Sequence, residues 1–256
     1  MRIATWNVNG LRAALRKGYE DHIDRVSPDI VLLQEVRALP EQLPAQVVSP
    51  PNGDAIWHPA QKKGYSGTAI WSRNQAVKEV GRGIGDTDSE GRVLVARAGK
   101  LRIVSVYLPS GSSSEERQHI KNLWLPEFMD WASPMLKSRI PTVLGGDFNI
   151  AHTERDLFYA KANKDTSGFL PHEREWMGKM IEMGWHDIIR DKYGDTDGPY
   201  SWWSNRGQAR AKDRGWRIDY LLFNKAAHKT LKDCHVDRQS GLEVSDHAMV
   251  VADLDL

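Results

Sequence analysis

An acid and an amide stand two positions apart at the end of an apolar run, in Thr142-Val143-Leu144-Gly145-Gly146-Asp147-Phe148-Asn149. If the strand continues through them, its period of two puts Asp147 and Asn149 on one face and Phe148 on the other. Phe148 can then anchor the backbone in a core while two oxygen-bearing side chains face a cleft. Oxygen donors held this way suit a hard cation such as Mg2+, or a phosphate polarised by one. A strand end followed by a polar turn has the same local pattern. The pattern recurs, however, at Asn7, at Glu35 and at Asp246-His247.

Arg2-Ile3-Ala4-Thr5-Trp6-Asn7 opens the chain, and the following Gly10 permits a sharp departure. Asp29-Ile30-Val31-Leu32-Leu33-Gln34-Glu35 is a near-continuous apolar run of the kind buried on both faces. Ser245-Asp246-His247 precedes Ala248-Met249-Val250-Val251-Ala252. One acidic strand end is ordinarily a solvated terminus. Several from distant parts of one chain point to a site, because sheets bring distant strand ends together. Asp219 differs, since it lies inside the strand-like run Trp216-Arg217-Ile218-Asp219-Tyr220-Leu221-Leu222-Phe223. A carboxylate there needs a partner. His247 would be one, with Asp219 fixing its tautomer and raising its basicity; Arg217 or a turn cap is the alternative.

Positioning these groups requires many strands. The patterns predict strands near 2–7, 29–35, 54–59, 67–72, 93–98, 102–107, 142–149, 216–223 and 248–254. They predict helices over Ser113 to Lys137, with Ile120, Leu123, Trp124, Phe128 and Trp131 at helical spacing, and over Pro171 to Gly184. Short polar connections favour antiparallel hairpins, hence a mixed sheet pair flanked by helices. The chain has 256 residues, no linker-like tract and no fixed short repeat, and its candidate donors span positions 7 to 247. A single domain over 1–256 follows, because one site needs both ends.

A lone cysteine, Cys234, excludes an internal disulfide and fits a reducing compartment. No secretory pattern opens the chain and no apolar run approaches the roughly 20 residues that span a bilayer. A cytoplasmic protein with no membrane partner is expected. Net charge is only +1, but Ser204 to Arg217 carries five Lys/Arg against one Asp, with Trp202, Trp203 and Trp216 around it. Cations interleaved with aromatics suit a nucleic acid; a solvated loop flanked by core tryptophans is the plainer alternative. Most other tryptophans (Trp57, Trp71, Trp124, Trp131) are expected only to pack.

Taken in order, Trp6-Asn7-Val8-Asn9-Gly10-Leu11-Arg12, Leu33-Gln34-Glu35, Tyr65-Ser66-Gly67, Val106-Tyr107-Leu108-Pro109, Gly145-Gly146-Asp147-Phe148-Asn149, Trp216-Arg217-Ile218-Asp219-Tyr220 and Ser245-Asp246-His247 cover nearly the whole chain. Together they resemble the exonuclease III group of apurinic/apyrimidinic (AP) endonucleases, in the endonuclease/exonuclease/phosphatase superfamily with its DNase I-like fold. The resemblance implies a four-layered α/β sandwich, two mixed and mostly antiparallel β-sheets packed face to face with helices outside. It implies a Mg2+ site, with Mn2+ substituting, at Glu35 with Asn7 and Asp246 near it, and with Asp147, Asn149 and His247 in the donor set. Tyr107, Asp147, Asn149, Asp219 and His247 are the implied catalytic residues, and the base is open between Asp147 and His247.

The resemblance further implies that Trp202, Trp216 and Ile218 wall a small pocket for a flipped-out deoxyribose lacking its base. Arg206 and Arg210 are the implied duplex contacts. The expected substrate is duplex DNA with abasic sites or blocked 3′ ends, acted on by a monomer of bacterial type near the nucleoid. A serine run (Ser110, Ser112, Ser113, Ser114) replaces the asparagine and arginine of eukaryotic relatives, so one DNA-contacting arm differs. The competing readings are a relative acting on another phosphoester, such as a non-specific DNase or a phosphoinositide phosphatase, and a non-catalytic DNA-binding module.

Overall fold

A computed structural model describes residues 1–84 and 88–256. The chain first lays down β1 (Arg2–Asn7), β2 (Ile30–Gln34), β3 (Ala55–His58) and β4 (Thr68–Ser72). It then builds a second sheet from β5 (Lys78–Arg82), β6 (Val93–Ala98), β7 (Leu101–Tyr107), β8 (Thr142–Asp147), β9 (His186–Asp187) and β10 (Asp219–Phe223). Finally it returns to the first sheet with β11 (Leu231–Asp237) and β12 (Met249–Leu254). The sheet orders are β11-β12-β1-β2-β4-β3 and β5-β6-β7-β8-β10-β9. Of the described pairings, β1–β2 and β7–β8 are parallel and the others antiparallel.

Alternation along the central strands makes the layers. Ile30 and Leu32 point between the sheets, against Ile103, Val143 and Leu221. Val31 and Leu33 point outward, under α1 (Leu11–Arg16), α2 (Tyr19–Val26) and α3 (Ala45–Val48). On the other side, Val104, Leu144 and Leu222 meet α4 (Glu115–Leu136) and α5 (Pro171–Glu182). Each fully buried Leu or Ile is worth about 1.5–3 kcal/mol, so one-residue slips in these strands are excluded. Gly145 and Gly146 permit the closest approach. A Cβ on Gly146 would stand 1.8 Å from the Val106 carbonyl oxygen, and one on Gly145 2.5 Å from Leu32. Shorter helices α6 (Ile188–Tyr193), α7 (Lys225–His228) and α8 (Arg238–Glu243) complete the set. No described helix is long and apolar enough to cross a membrane.

Four expectations change in detail. The strand at 142–149 ends at Asp147, and Asn149 adopts a left-handed φ of 51°. The strand at 216–223 begins at Asp219, because Trp216 leaves to bridge Trp202 and Leu157. Strands β5 and β11 carry no alternating apolar pattern, β5 being an exposed edge strand and β11 a polar one of mixed burial, and β9 is only two residues long. Helix α4 begins where expected, capped by Ser114, whose hydroxyl accepts from the Arg117 N–H at 3.2 Å. Its buried face, though, is Lys121, Leu125, Phe128 and Ala132, while Ile120 and Leu123 face outward. A buried lysine carries that face, and hydrophobicity alone mis-phases it.

Candidate active site

The register of the second sheet puts three functional groups in one row. Tyr107 on β7 and Asp219 on β10 are both partners of Asp147 on β8. From the first sheet, Asn7 ends β1 beside Gln34, and Glu35 follows β2 with a left-handed φ of 50°. His247 lies just before β12, its backbone pinned by the Trp6 indole N–H donating to the His247 carbonyl at 2.9 Å. Face-to-face packing of the sheets brings the two sets together. Phe148 sits edge-on to Phe128 and Tyr220, at 6.0 and 5.5 Å between centroids. It anchors the strand end, as its apolar neighbours predict.

The Asn7 amide donates to Glu35 Oε1 and to Asp147 Oδ2, each at 2.9 Å. The Tyr107 hydroxyl also donates to Glu35 Oε1, at 2.8 Å, and Arg37 pairs with the other oxygen. His247 Nδ1 faces Asp219 Oδ2 at 2.9 Å, and the Ser201 hydroxyl donates to the same oxygen at 2.7 Å. The Asp219 alternative is thus decided for histidine, since Arg217 turns away to Asp156 and Asp187. With Nδ1 committed, His247 Nε2 faces Asp147 Oδ2 at 3.9 Å, beyond hydrogen-bond reach. The Asn149 N–H donates to Asp147 Oδ1 at 2.8 Å, and the Asn149 amide donates to the Leu108 carbonyl at 2.9 Å.

Burial and crowding set the electrostatics. Burial first, then Asp219 and Glu35, push the Asp147 carboxyl up to about 7, against the pull of His247. Burial lowers the His247 imidazole, but Asp219 overrides it, with help from Asp147 and Asp246, and raises it to about 10. Burial, then Glu35 and Asp147, hold the Tyr107 hydroxyl well above its ordinary value. The Asp246 carboxyl stays low despite its burial, because His247, Asn9 and Trp202 favour the charged form. Donor atoms of Glu35, Asp147 and His247 lie within 4.8 Å of one another. This excess of buried carboxylate beside an imidazole and the Asn7 amide fits a hard divalent ion.

These groups face a pocket of about 270 Å³. Trp202, Trp216 and Ile218 line it, together with Thr166, Ser167 and Gly168. Trp202 and Trp216 meet edge to face, 6.2 Å apart at 79°. The Trp202 indole N–H donates to Asp246 Oδ2 at 3.2 Å, which ties the wall to the Asp246-His247 turn. Asp246 is therefore committed to Trp202 and, at 2.8 Å, to the Asn9 amide. Ser110 and Ser112, from the divergent serine run, also line the pocket. Arg206 and Arg210 do not line it. They lie on the neighbouring loop, with Arg210 donating to Asn205 Oδ1 at 2.8 Å.

Residues 4–247 match the model of the endonuclease/exonuclease/phosphatase family. This chain belongs to that family. Across 252 residues it is 35% identical to an exodeoxyribonuclease of Bacillus subtilis, covering 98% of each chain. It is also 35% identical to the DNA repair nuclease APEX1 of Danio rerio, over 98% of this chain and 81% of that one. In three dimensions it is similar to a 3′ phosphatase, NExo, from Neisseria, solved bound to product DNA hairpin. The TM-score is 0.91, with 28% identity and full coverage of both chains. The four-layered sandwich read from the motifs is the fold observed.

Several side chains around the site were not singled out from the sequence. Asn9 lies within the N-terminal motif and Arg37 two residues beyond Glu35, and both could have been suspected from that. Ser201, Lys121 and Glu173 could not. Lys121 and Glu173 form a fully buried ion pair. Lys121 also donates to the Asn149 carbonyl at 2.9 Å, and Glu173 Oε2 accepts from the Gly168 N–H at 2.7 Å. One ion pair thus anchors the end of the catalytic strand and the pocket wall facing it.

Proposed function

We propose that this protein is a metal-dependent DNA-repair phosphodiesterase. It hydrolyses the backbone of duplex DNA on the 5′ side of abasic sites, leaving a 3′-hydroxyl and a 5′-deoxyribose phosphate. It also removes nucleotides and blocking groups from 3′ ends. The observation that carries this reading is the small pocket whose Trp202, Trp216 and Ile218 wall stands beside the Asp147–His247 pair. A pocket of about 270 Å³ suits a flipped sugar lacking its base, and a stacked nucleotide demands more room.

The chemistry is an in-line displacement at phosphorus. His247, kept protonated by Asp219, places positive charge at a non-bridging phosphate oxygen. Asp147, titrating near neutrality, accepts the proton of the attacking water. Both proton affinities are raised, Asp147 to about 7 and His247 to about 10, which supports Asp147 as the base and His247 as the electrostatic partner. Tyr107 stays a neutral hydroxyl and would turn its donor from Glu35 to the phosphate, and the Asn149 N–H not given to Leu108 would donate to the leaving 3′ oxygen. Glu35 and Asp147, bridged by the Asn7 amide, would hold Mg2+ or Mn2+, and the ion would supply positive charge for the reacting phosphate. Arg206 and Arg210, beside the wall, supply duplex contacts. The protein works as a monomer in the cytoplasm.

Cleavage of abasic and undamaged duplexes by Trp216→Ala, across a salt series, tests the reading. Abasic cleavage should fall at least 10-fold, with discrimination relaxed, because the wall and its stacking surface are gone. Neutralising Arg206 and Arg210 should instead weaken all duplex binding and flatten its salt dependence. Unchanged discrimination in Trp216→Ala would leave a non-specific nuclease, and hydrolysis of inositol phosphates in place of DNA would overturn the DNA reading.

A further inference from the structure

Among the described residues, two groups of three donor side chains converge closely enough to share an ion. One is the active site. The other is His186, Asp191 and His228, at the opposite end of β10. There Phe223 is the register partner of His186, whereas Asp219 at the other end partners Asp147.

Three short elements bring the second group together. His186 lies on β9, Asp191 on α6 and His228 ends α7. Both imidazoles present a nitrogen to the same carboxylate oxygen, His186 Nδ1 at 3.7 Å and His228 Nε2 at 3.4 Å from Asp191 Oδ2. These separations are long for hydrogen bonds. They match the edges of a coordination polyhedron, since donors about 2.0–2.2 Å from a tetrahedral ion stand about 3.3–3.6 Å apart. The rings lie parallel, 3.9 Å between centroids and 4° between planes. Two imidazolium rings would repel at that distance. Burial, then His228, lowers the proton affinity of His186.

The donor set selects the ion. Two imidazoles and one carboxylate suit a borderline transition ion, whereas Mg2+ prefers oxygen donors alone and keeps several waters. All three side chains are about a third to a half exposed (36%, 46% and 35%), so water can complete the coordination. We propose that His186, Asp191 and His228 form a peripheral site for a divalent transition ion, with Zn2+ as the reference, distinct from the catalytic pocket.

Such an ion would clamp the outer edge of the second sheet. Strand β9 has only two residues, α7 four and α6 six, too short to persist without tertiary ties. An ion bridging all three closes this edge by linkage, binding the folded chain and not the unfolded one. Catalysis is not required to respond.

Zn2+ titration of the full-length protein by calorimetry, in millimolar Mg2+ to fill the oxygen-rich catalytic site, tests this. One Zn2+ per chain is expected, with affinity at least 30-fold weaker in His186→Gln and in His228→Gln and unchanged in Glu35→Gln. Zn2+ should raise the wild-type Tm by about 3 °C and leave that of His228→Gln unmoved. Bound Co2+ should give a visible spectrum that disappears in the histidine variants. Absence of binding, equal binding by both histidine variants, or loss of binding in Glu35→Gln would each overturn the proposal. Because neither histidine touches the active site, DNA cleavage by His228→Gln stays at wild-type level, so this test and that of the proposed activity fail independently.

Discussion

Two residues apart in sequence, Arg217 and Asp219 enter two buried charge clusters of opposite design. Arg217 donates to Asp156 Oδ1 at 2.7 Å and to Asp187 Oδ1 at 3.0 Å, and Arg190 also pairs with Asp156. Thr153 adds two more donors to Asp156 Oδ2, at 2.8 and 2.9 Å. Here two guanidiniums meet two carboxylates. Despite burial, Arg217 pulls the Asp156 carboxyl well below its ordinary range. On the active-site side, Glu35, Asp147 and Asp219 surround one imidazole, with Arg37 only at the rim. There Asp147 is pushed up. A cluster balanced by its own side chains is a fastener, and one left short of positive charge is a receptor for it.

The largest contrast is in rate. Glu35→Ala should lower kcat by roughly 1,000-fold or more, with partial recovery at high Mg2+ and little change in Tm. Steady-state cleavage of an abasic duplex beside a thermal melt checks both halves. Full activity would remove Glu35 from the donor set. Arg217→Met should do the reverse. By stranding two buried carboxylates it should cost about 3–5 kcal/mol of stability in urea melts, while kcat of the folded protein moves less than about 3-fold. A fall in kcat as deep as that of Glu35→Ala, without lost stability, would abolish the distinction.

The pH signatures also oppose. Asp147 has a folded pKa above its ordinary value of 3.8. Its contribution to stability is therefore whole below that value and is lost as pH rises through about 7. Metal-free Asp147→Asn should then be more stable than wild type at pH 8, on the order of 2 kcal/mol, and equal to it near pH 4. Asp156 is lowered, so its stabilisation is present above the ordinary carboxylate range and is lost as pH falls through its folded pKa. Melts of Asp147→Asn and Asp156→Asn beside wild type, in EDTA and carried from pH 8 down to about pH 2, would show whether the curves diverge in this sense.

The smallest effect belongs to the third buried charge group. Replacing Lys121 and Glu173 together by Met and Leu should leave stability within about 1 kcal/mol. It should lower kcat/KM several-fold, because the Asn149 carbonyl and the Gly168 N–H lose their anchors. Wild-type kinetics in that double variant would make the pair purely structural.

The chain announces its own active site unevenly. Asn7, Glu35, Asp147 and His247 end apolar runs, and that position makes them conspicuous, since a strand's hydrophobic pattern points at whatever interrupts it. Strands β1 and β2 and the extents of both major helices are legible for the same reason, whereas the parallel pairing of β1 with β2 is not. Lys121 is not, because a buried lysine on an amphipathic helix looks like a solvated one until its partner 52 positions away is placed beside it. Asn149 and Glu35 illustrate another gap. Their donors are properly aimed by left-handed backbone just beyond each strand, which a period of two does not describe. Edge strands β5 and β11 are set by pairing with a neighbour rather than by their own composition.

The order of strands in space also has a consequence in time. Strand β12 lies between β1 and β11, with Arg2 opposite Asp253, and His247 immediately precedes it. A ribosome therefore releases every other residue proposed for the site before the imidazole, and β1 waits unpaired on that side until β12 emerges. A contact spanning 241 residues, Trp6 to His247, is late-forming by its nature. Docking of β12 therefore completes the row of site residues only after the rest of the chain is in place.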